Sequence, residues 1–458
     1  MALMPVTDSM FLLPETREQP MHVGGLQLFD LPEGAGKGYL RELYERATTP
    51  QEIAPLFRKR PHRSALTLGQ WTWRQDEEVD LEHHVRHSAL PEPGRVRELL
   101  ALTSRLHGTL LDRKRPLWEA HLIEGLEGRR FAVYTKQHHA LMDGVSAMRL
   151  LTTSLSTDPD ERSGRMPWEA SPRATSRRSA RGSLLDLPAM AARLGVDAVG
   201  LLPTLARLAQ EGLTSSATVL PLQAPRSMLN VAITGSRRFA AESWSLPRIK
   251  QVATAADATV NDVVLAMCAG ALRAYLLENE ALPDRPLIAM TPVSLRKDEG
   301  TSEAQASGNA VGVILCNLAT DIAHPGARLV AIRQSMLSGK ASLARLNPNQ
   351  VSALSAVAVA PLLLNSLMAL HRVAPPPFNL VISNVPGSAD PLYWNGARMT
   401  GMYPLSIPLD GQAVNITMTS YDGQLHVGIV GCRRSVPRLQ RLLGHLEDAL
   451  QGLEDVVL

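Results

Sequence analysis

The order of apolar and polar residues along this chain predicts strands and helices mixed over most of its length. Residues 130–136 are rich in β-branched and aromatic side chains, which favours a strand. Residues 145–151 have a helical pattern, and 263–277 form an apolar run preceded by Thr259 and Asn261, which are good helix-start residues. Further strands are predicted at residues 310–318, 379–383 and 414–421.

The stretch from residue 158 to about 225 differs in composition from its surroundings. Its first part is rich in arginine, serine and alanine with little acid, which predicts an exposed, mobile linker. A helical pattern follows over residues 190–213. Arginine beside an apolar helix indicates contact with a membrane surface, and the alternative is a solvated linker with a helix packed on the body. The predicted units are residues 1–157, 158–225 and 226–458.

Residues 346–370 contain no charged side chain. This length meets the criterion of about 20 apolar residues for a membrane span. However, Pro361, Asn365 and several serines interrupt the run. We therefore favour a buried helix pair lining an apolar channel over a span.

The composition limits the classes of protein to which the chain could belong. A length of 458 residues with 45% hydrophobic residues is ample for a large core and fits a two-lobed unit or two to three domains. The net charge of +3 gives no reason to expect nucleic acid as a partner. Cys268, Cys316 and Cys432 are predicted to be buried small hydrophobes in a reducing compartment. The first residues lack the pattern of a signal peptide.

The motif that carries the candidate chemistry is HHxxxDG at residues 138–144. It lies between the predicted strand 130–136 and the predicted helix 145–151, so we expect it on a strand-to-helix turn. Histidine titrates near neutral pH and is suited to general base catalysis of acyl transfer. Metal binding is the alternative for a histidine pair, but neighbouring side chains of a strand point to opposite faces and HExxH is absent. We predict no metal site.

The chain resembles the bacterial wax ester synthase/acyl-CoA:diacylglycerol acyltransferase (WS/DGAT) family. HHxxxDG alone marks only the larger chloramphenicol acetyltransferase-like group, which includes peptide-synthetase condensation domains. The narrower resemblance rests on seven further blocks, which cover nearly the whole chain. They are PMHVGGL (20–26), RPLWE (115–119), GSRRFA (235–240), VNDV (260–263), PVSLR (292–296), ISNVPG (382–387) and LYWNGA (392–397). Ser388 departs from the Gly-Pro that is usual in the family, which affects the shape of one loop.

This resemblance implies an α/β protein of two chloramphenicol acetyltransferase-like lobes with mixed sheets and a substrate tunnel between them. His139 would take the hydroxyl proton of diacylglycerol or a long-chain fatty alcohol, and the alkoxide would attack acyl-CoA directly. Asp143 and Gly144 would shape the loop, and His138 would support its backbone. The products would be triacylglycerol or wax ester and free CoA. Acyl-CoA is a substrate here, so no cofactor is implied.

Three other residues are assigned supporting roles. In similar acyltransferases an arginine at the place of Arg296 pairs with the aspartate of the histidine motif, so we pair Arg296 with Asp143. The alternative is an ordinary surface arginine. Asn261 and Asp262 match a family block, and their alternative role is a helix cap.

Five residues are candidates for an oxyanion site or a channel wall. Ser383 and Asn384 would donate hydrogen bonds to the tetrahedral oxyanion, and the alternative is a turn before Pro386. The other three supply a rigid apolar wall, either in packing or at the mouth of a channel; they are Pro116, Leu117 and Trp118.

Two other functions stay open at this point. One is a condensation-type acyltransferase that makes amides on carrier proteins, although no thiolation domain accompanies this chain. The other is a catalytically silent protein that binds a lipid surface, against which the intact motif argues. Because the implied substrates are almost insoluble in water, we expect a cytoplasmic protein peripherally associated with the inner membrane and lipid droplets.

Overall fold

Two six-stranded sheets form the framework of the part of the chain that the structure describes. The computed structural model describes residues 2–36, 38–49, 52–63, 67, 69–162, 165–170, 219, 222–294, 311–347, 350–351, 354–355 and 374–458. The helices there are α1 (Val6–Ser9), α2 (Tyr39–Thr48), α3 (Leu81–His84), α4 (Val96–His107), α5 (Gly144–Thr153), α6 (Leu246–Ala255), α7 (Val260–Glu278), α8 (Pro325–Ala344) and α9 (Arg441–Val457). The strands are β1 (Ala2–Leu3), β2 (His22–Asp30), β3 (Lys59–Arg63), β4 (Trp71–Gln75), β5 (Val85–Ala89), β6 (Trp118–Leu126), β7 (Arg130–His138), β8 (Arg237–Ser245), β9 (Ile288–Ser294), β10 (Val311–Asn317), β11 (Leu380–Val385), β12 (Tyr393–Trp394), β13 (Ala397–Leu405), β14 (Val414–Tyr421) and β15 (Gln424–Cys432).

The first large sheet has the strand order β12-β13-β2-β7-β6-β5 and combines strands from both halves of the chain. Strand β13 runs antiparallel to β2, with Leu405 opposite Gly24 and Arg398 opposite Asp30. The sequence-based boundaries place β12 and β13 in the second unit, residues 226–458. They pair in the first sheet because β2 otherwise leaves a row of backbone N–H and C=O groups without partners.

The second large sheet has the order β10-β9-β11-β14-β15-β8 and carries helices on one face. Helix α7 is the centre of this layer and packs with α6, α8 and α9 over the sheet. It is long and apolar enough to cross a membrane, but 67% of its most apolar stretch is buried inside the protein. The apolar face of α7 is therefore occupied by the core of the second lobe.

The two lobes meet where β13 passes over β15. Apolar side chains of both sheets form one cluster there, including Leu405, Phe239 and Val430. Gly428 on β15 lies against the carbonyl oxygen of Pro404 so closely that a Cβ atom at Gly428 would overlap it. The absence of a side chain at this position allows the two backbones to approach.

The predicted elements that fall on described residues are confirmed. Strands β7, β10, β11 and β14 and helices α5 and α7 occupy the expected positions. The three cysteines are buried and free.

The predicted linker differs from expectation at its beginning. Met166 and Trp168 are buried in the core of the first lobe, where Trp168 stacks on Trp118 with ring centroids 5.2 Å apart. They stay buried because the removal of large apolar side chains from water stabilises the folded protein. The predicted helix 190–213, most of the linker and most of the charge-free segment 346–370 lie outside the described residues.

Candidate active site

The HHxxxDG motif lies on the turn between β7 and α5, as its sequence context predicts. Backbone hydrogen bonds hold both sides of the turn. The N–H of His138 donates to Leu117 O at 3.0 Å, and the N–H of His139 donates to Met21 O at 2.8 Å. Asp143 then caps α5, because its carboxylate accepts a hydrogen bond from the N–H of Ser146 at 2.7 Å.

The two histidine rings have different environments. The ring of His138 is fully buried, and its Nδ1 accepts a hydrogen bond from the N–H of Ala140 at 3.0 Å. The neutral ring therefore carries its proton on Nε2, which lies 3.2 Å from Oε1 of Glu15. The ring of His139 instead stacks on Phe11, with centroids 4.0 Å apart and planes at 25°.

His139 faces a cavity of about 470 Å³ that both lobes line. The first lobe contributes the motif and helix α5, and the second contributes strands β9, β11 and β14. Most of the lining is apolar. The lining residues are Met10, Phe11, Met21, Val23, Gly24, His139, Asp143, Gly144, Val145, Ala147, Met148, Met290, Pro292, Val381, Ser383, Val385, Pro404, Leu405, Ser406, Ile407, Leu409, Asn415 and Thr417.

The environment of His139 keeps its imidazole neutral. Burial lowers the pKa of His139 to about 4, the Asp143 carboxylate opposes this shift and His138 adds to it. Ring atom Nδ1 is enclosed and has no hydrogen-bond partner among the described residues. At neutral pH the ring is therefore in the form that accepts a proton.

The pH dependence of the rate tests this environment. We expect kcat/KM to stay level from neutral pH down to about pH 5 and to fall below it, as His139 with its pKa of about 4 becomes protonated. The measurement is initial-rate kinetics between pH 3.5 and 8, with circular dichroism at each pH to establish that the protein stays folded. A descending acid limb centred near the ordinary histidine pKa of about 6.5 would contradict the assignment.

Some of the other candidate site residues line the cavity and others do not. Asp143, Gly144 and Ser383 line it. Asn384 follows Ser383 on β11, so its side chain points to the opposite face of the strand, and it is not among the lining residues. An oxyanion role therefore fits Ser383 and not Asn384.

The expected channel wall at Pro116, Leu117 and Trp118 is instead part of the core. None of the three lines the cavity. Trp118 is buried and its indole N–H donates to Phe57 O at 2.9 Å. Leu117 is also buried, and its carbonyl accepts the hydrogen bond from His138. The apolar character of this segment serves packing, because it lies inside the first lobe beneath the motif.

Asn261 and Asp262 lie away from the cavity, at the start of α7. Asp262 forms a capping box with Thr259, whose N–H donates to Asp262 Oδ2 at 2.9 Å. Helix α7 packs on the face of β11 that carries Ile382, whereas Ser383 faces the cavity from the other side. Asp262 therefore stabilises the start of the helix, and neither Asn261 nor Asp262 lines the cavity. Arg296 lies outside the described residues, so its pairing with Asp143 stays a prediction.

Glu15 and Phe11 were missed in the sequence analysis. Both belong to the segment before β2, and they contact His138 and His139 through tertiary structure. The only local signal was the neighbouring PMHVGGL block, which contains Met21. In the described part of the chain, no group of three or more histidine, cysteine, aspartate or glutamate residues is arranged to hold a metal ion.

An imidazole on a strand-to-helix turn faces a cavity between two mixed-sheet lobes, which is an arrangement suited to acyl transfer. The profile of the wax ester synthase/diacylglycerol acyltransferase catalytic domain matches residues 3–264. The profile of the WS/DGAT C-terminal domain matches residues 307–454. The chain belongs to the WS/DGAT family.

Individual relatives agree with this membership. The Mycobacterium tuberculosis protein named "Probable diacyglycerol O-acyltransferase tgs2" is 54% identical over 457 residues, covering 100% of both chains. The solved wax ester synthase/diacylglycerol acyltransferase from Marinobacter aquaeolei VT8 is 44% identical with a TM-score of 0.76, covering 99% of each chain. The first condensation domain of the calcium-dependent antibiotic synthetase is 17% identical with a TM-score of 0.58, covering 100% of this chain and 96% of that one. The last likeness concerns the fold alone.

Proposed function

We propose that this acyltransferase moves a fatty acyl group from acyl-CoA to diacylglycerol or a long-chain fatty alcohol. The products are triacylglycerol or wax ester and free CoA. The observation that carries the proposal is the position of the His139 imidazole at an apolar cavity that both lobes line. The names of the relatives support the same substrates.

The proposed chemistry is a direct transfer. His139 takes the proton of the alcohol hydroxyl as its oxygen attacks the thioester carbon, which forms a tetrahedral oxyanion. The carbon–sulfur bond then breaks, and the proton on His139 passes to the CoA thiolate. Among the described residues, no serine or cysteine hydrogen-bonds to the His139 ring, so an acyl-enzyme is not part of the proposal. The Ser383 hydroxyl is the proposed donor to the oxyanion.

The lining of the cavity supports long apolar substrates. Four methionines from different parts of the chain line it, and methionine side chains adapt to irregular apolar ligands. They are Met10, Met21, Met148 and Met290. An acyl chain in such a cavity leaves water, and each buried methylene stabilises the complex by about 0.8 kcal/mol.

The test is a comparison of acceptors with purified protein. Hexadecanoyl-CoA is supplied with hexadecanol, dipalmitoylglycerol or hexadecylamine, and CoA thiol release is followed together with lipid product by mass spectrometry. We expect equal amounts of ester and CoA with at least one of the two alcohols. Amide formation without ester would favour a condensation-type enzyme. Absence of any acyl product would favour a lipid-binding protein.

We also propose that the protein is cytoplasmic and meets its substrates at the inner membrane or at lipid droplets. The arginine-rich segment within residues 158–225 supports this, since each arginine near an anionic surface contributes about 1 kcal/mol. Flotation with anionic liposomes should recover the protein at low salt and less of it at high salt. Replacement of Arg173, Arg177, Arg178 and Arg181 by serine should reduce this recovery while activity on a detergent-dispersed alcohol is retained.

A matched control removes four exposed arginines elsewhere. They are Arg41, Arg95, Arg398 and Arg441. Equal recovery of the basic-segment variant and the parent would place the attachment elsewhere in the chain. Equal losses in both variants would indicate a nonspecific effect of charge.

A further inference from the structure

We propose that Glu15 is a positioning residue for acyl transfer, which acts through the two histidines of the motif without touching substrate. This inference rests on the proposed function, since it takes His139 as the base. Glu15 precedes β2 in sequence and is brought to the motif by tertiary structure. Its side chain is 2% exposed, so its charge requires partners inside the protein.

Glu15 has three partners that together account for its burial. Arg113 donates from Nε to Glu15 Oε2 at 2.8 Å, and its Nη2 lies at the same distance from that oxygen. The N–H of Met21 donates to Glu15 Oε1 at 3.1 Å. Nε2 of His138 lies 3.2 Å from the same oxygen.

The carboxyl group is ionised in this environment. Burial alone raises the pKa of Glu15, but His138, the N–H of Met21 and Arg113 together outweigh it, and the pKa lies below its ordinary value. An ionised carboxylate accepts hydrogen bonds only. The negative charge 3.2 Å from Nε2 therefore favours the His138 tautomer with the proton on Nε2, which is the tautomer that the hydrogen bond from Ala140 to Nδ1 requires.

Two routes connect Glu15 to the turn that carries His139. The first passes through the His138 ring to the N–H of Ala140, which directly follows His139. The second passes through Met21, whose N–H donates to Glu15 and whose carbonyl accepts from the N–H of His139. The backbone on both sides of the His139 ring is therefore tied to one carboxylate.

Arg113 extends the same arrangement to the face of the His139 ring. Its Nη2 donates to Leu12 O at 2.8 Å, one residue after Phe11. Phe11 stacks on His139 and lines the cavity. The pair Glu15–Arg113 thus fixes the segment that covers the ring. Because a misplaced general base loses rate steeply, these contacts bear on kcat.

Glu15 and Arg113 are not among the cavity-lining residues. Replacing either one should therefore change kcat and leave substrate binding nearly unchanged. Glu15→Gln keeps the size of the side chain and removes its charge. We expect kcat to fall about tenfold or more, with KM for acyl-CoA and for the alcohol within about twofold. The matched control is Glu278→Gln, which removes a carboxylate from an ion pair with Arg441 in the second lobe. This control should leave both constants unchanged.

A double-mutant cycle distinguishes positioning from a general structural role. If Glu15 acts through His139, Glu15→Gln should cost less than about twofold when it is added to His139→Ala. Imidazole ¹⁵N spectra of the folded single variant should also show His138 departing from the Nε2–H tautomer. A folded Glu15→Gln protein with unchanged kcat would overturn the inference, as would an undiminished loss in the His139→Ala background.

A second variant carries the test if Glu15→Gln unfolds. Arg113→Lys keeps the positive charge but cannot span Glu15 and Leu12 with one planar group. We expect kcat of this variant to fall selectively as well, but by a smaller factor than in Glu15→Gln. An unchanged kcat in the folded Arg113→Lys variant would overturn the inference. Full activity of His139→Ala would instead refute the proposed base, and this result is separate from the outcome for Glu15.

Discussion

Replacing His139 by alanine is expected to lower kcat by at least about a hundredfold, the usual scale for loss of a general base. The alanine side chain cannot accept the hydroxyl proton of the alcohol. Because the His139 ring borders the cavity and contributes no side-chain hydrogen bond among the described residues, the melting temperature should change little. The measurement is steady-state CoA release together with a thermal melt.

His138→Ala is the matched comparison, because it removes the neighbouring ring of the same motif. Its loss leaves the N–H of Ala140 without its acceptor, at about 1–3 kcal/mol for an unsatisfied group, and removes one of the three partners of the buried Glu15 carboxylate. This variant should therefore melt at a lower temperature, whereas His139→Ala should not. Near-normal turnover by a well-folded His139→Ala protein would refute the proposed mechanism.

Gly428→Ala is expected to destabilise the protein by about 3 kcal/mol, through overpacking at the junction of the lobes. The new methyl group would overlap the carbonyl oxygen of Pro404, and a backbone atom cannot rotate away as a side chain can. Strand β13 would have to separate from β15. Since Pro404 and Leu405 also line the cavity, activity should fall together with stability. Urea unfolding and steady-state kinetics on the same sample measure both effects.

Gly444→Ala is the control for this substitution. Gly444 lies on the exposed side of α9, and a Cβ there meets no atom within 4 Å. The same chemical change should stabilise the protein by up to about 1 kcal/mol, because alanine favours a helix more than glycine does. Equal stability of the two variants would show that β13 and β15 tolerate separation at Gly428.

The amino-acid sequence by itself determined the local setting of the candidate base. The β-branched and aromatic run before His138 forms β7, and Asp143 caps the helix that follows. These features depend on residues within a few positions of one another, so strand and helix propensities and capping preferences are enough to predict them. The same holds for α7, whose first turn is closed by Thr259 and Asp262.

Only the tertiary structure decided which residues meet at the site. Glu15 and Arg113 are 98 positions apart in sequence, yet their ion pair supports the motif. Ser383 lines the cavity and Asn384 does not, because the register of β11 selects one face of the strand. Trp118 proved to be core because β6 lies inside the first sheet. Local patterns predict that an apolar side chain will be buried and that a buried charge will be paired. Which residue provides the contact depends on which sheet edges and faces come together. Those contacts join distant parts of the chain, so local patterns do not predict them.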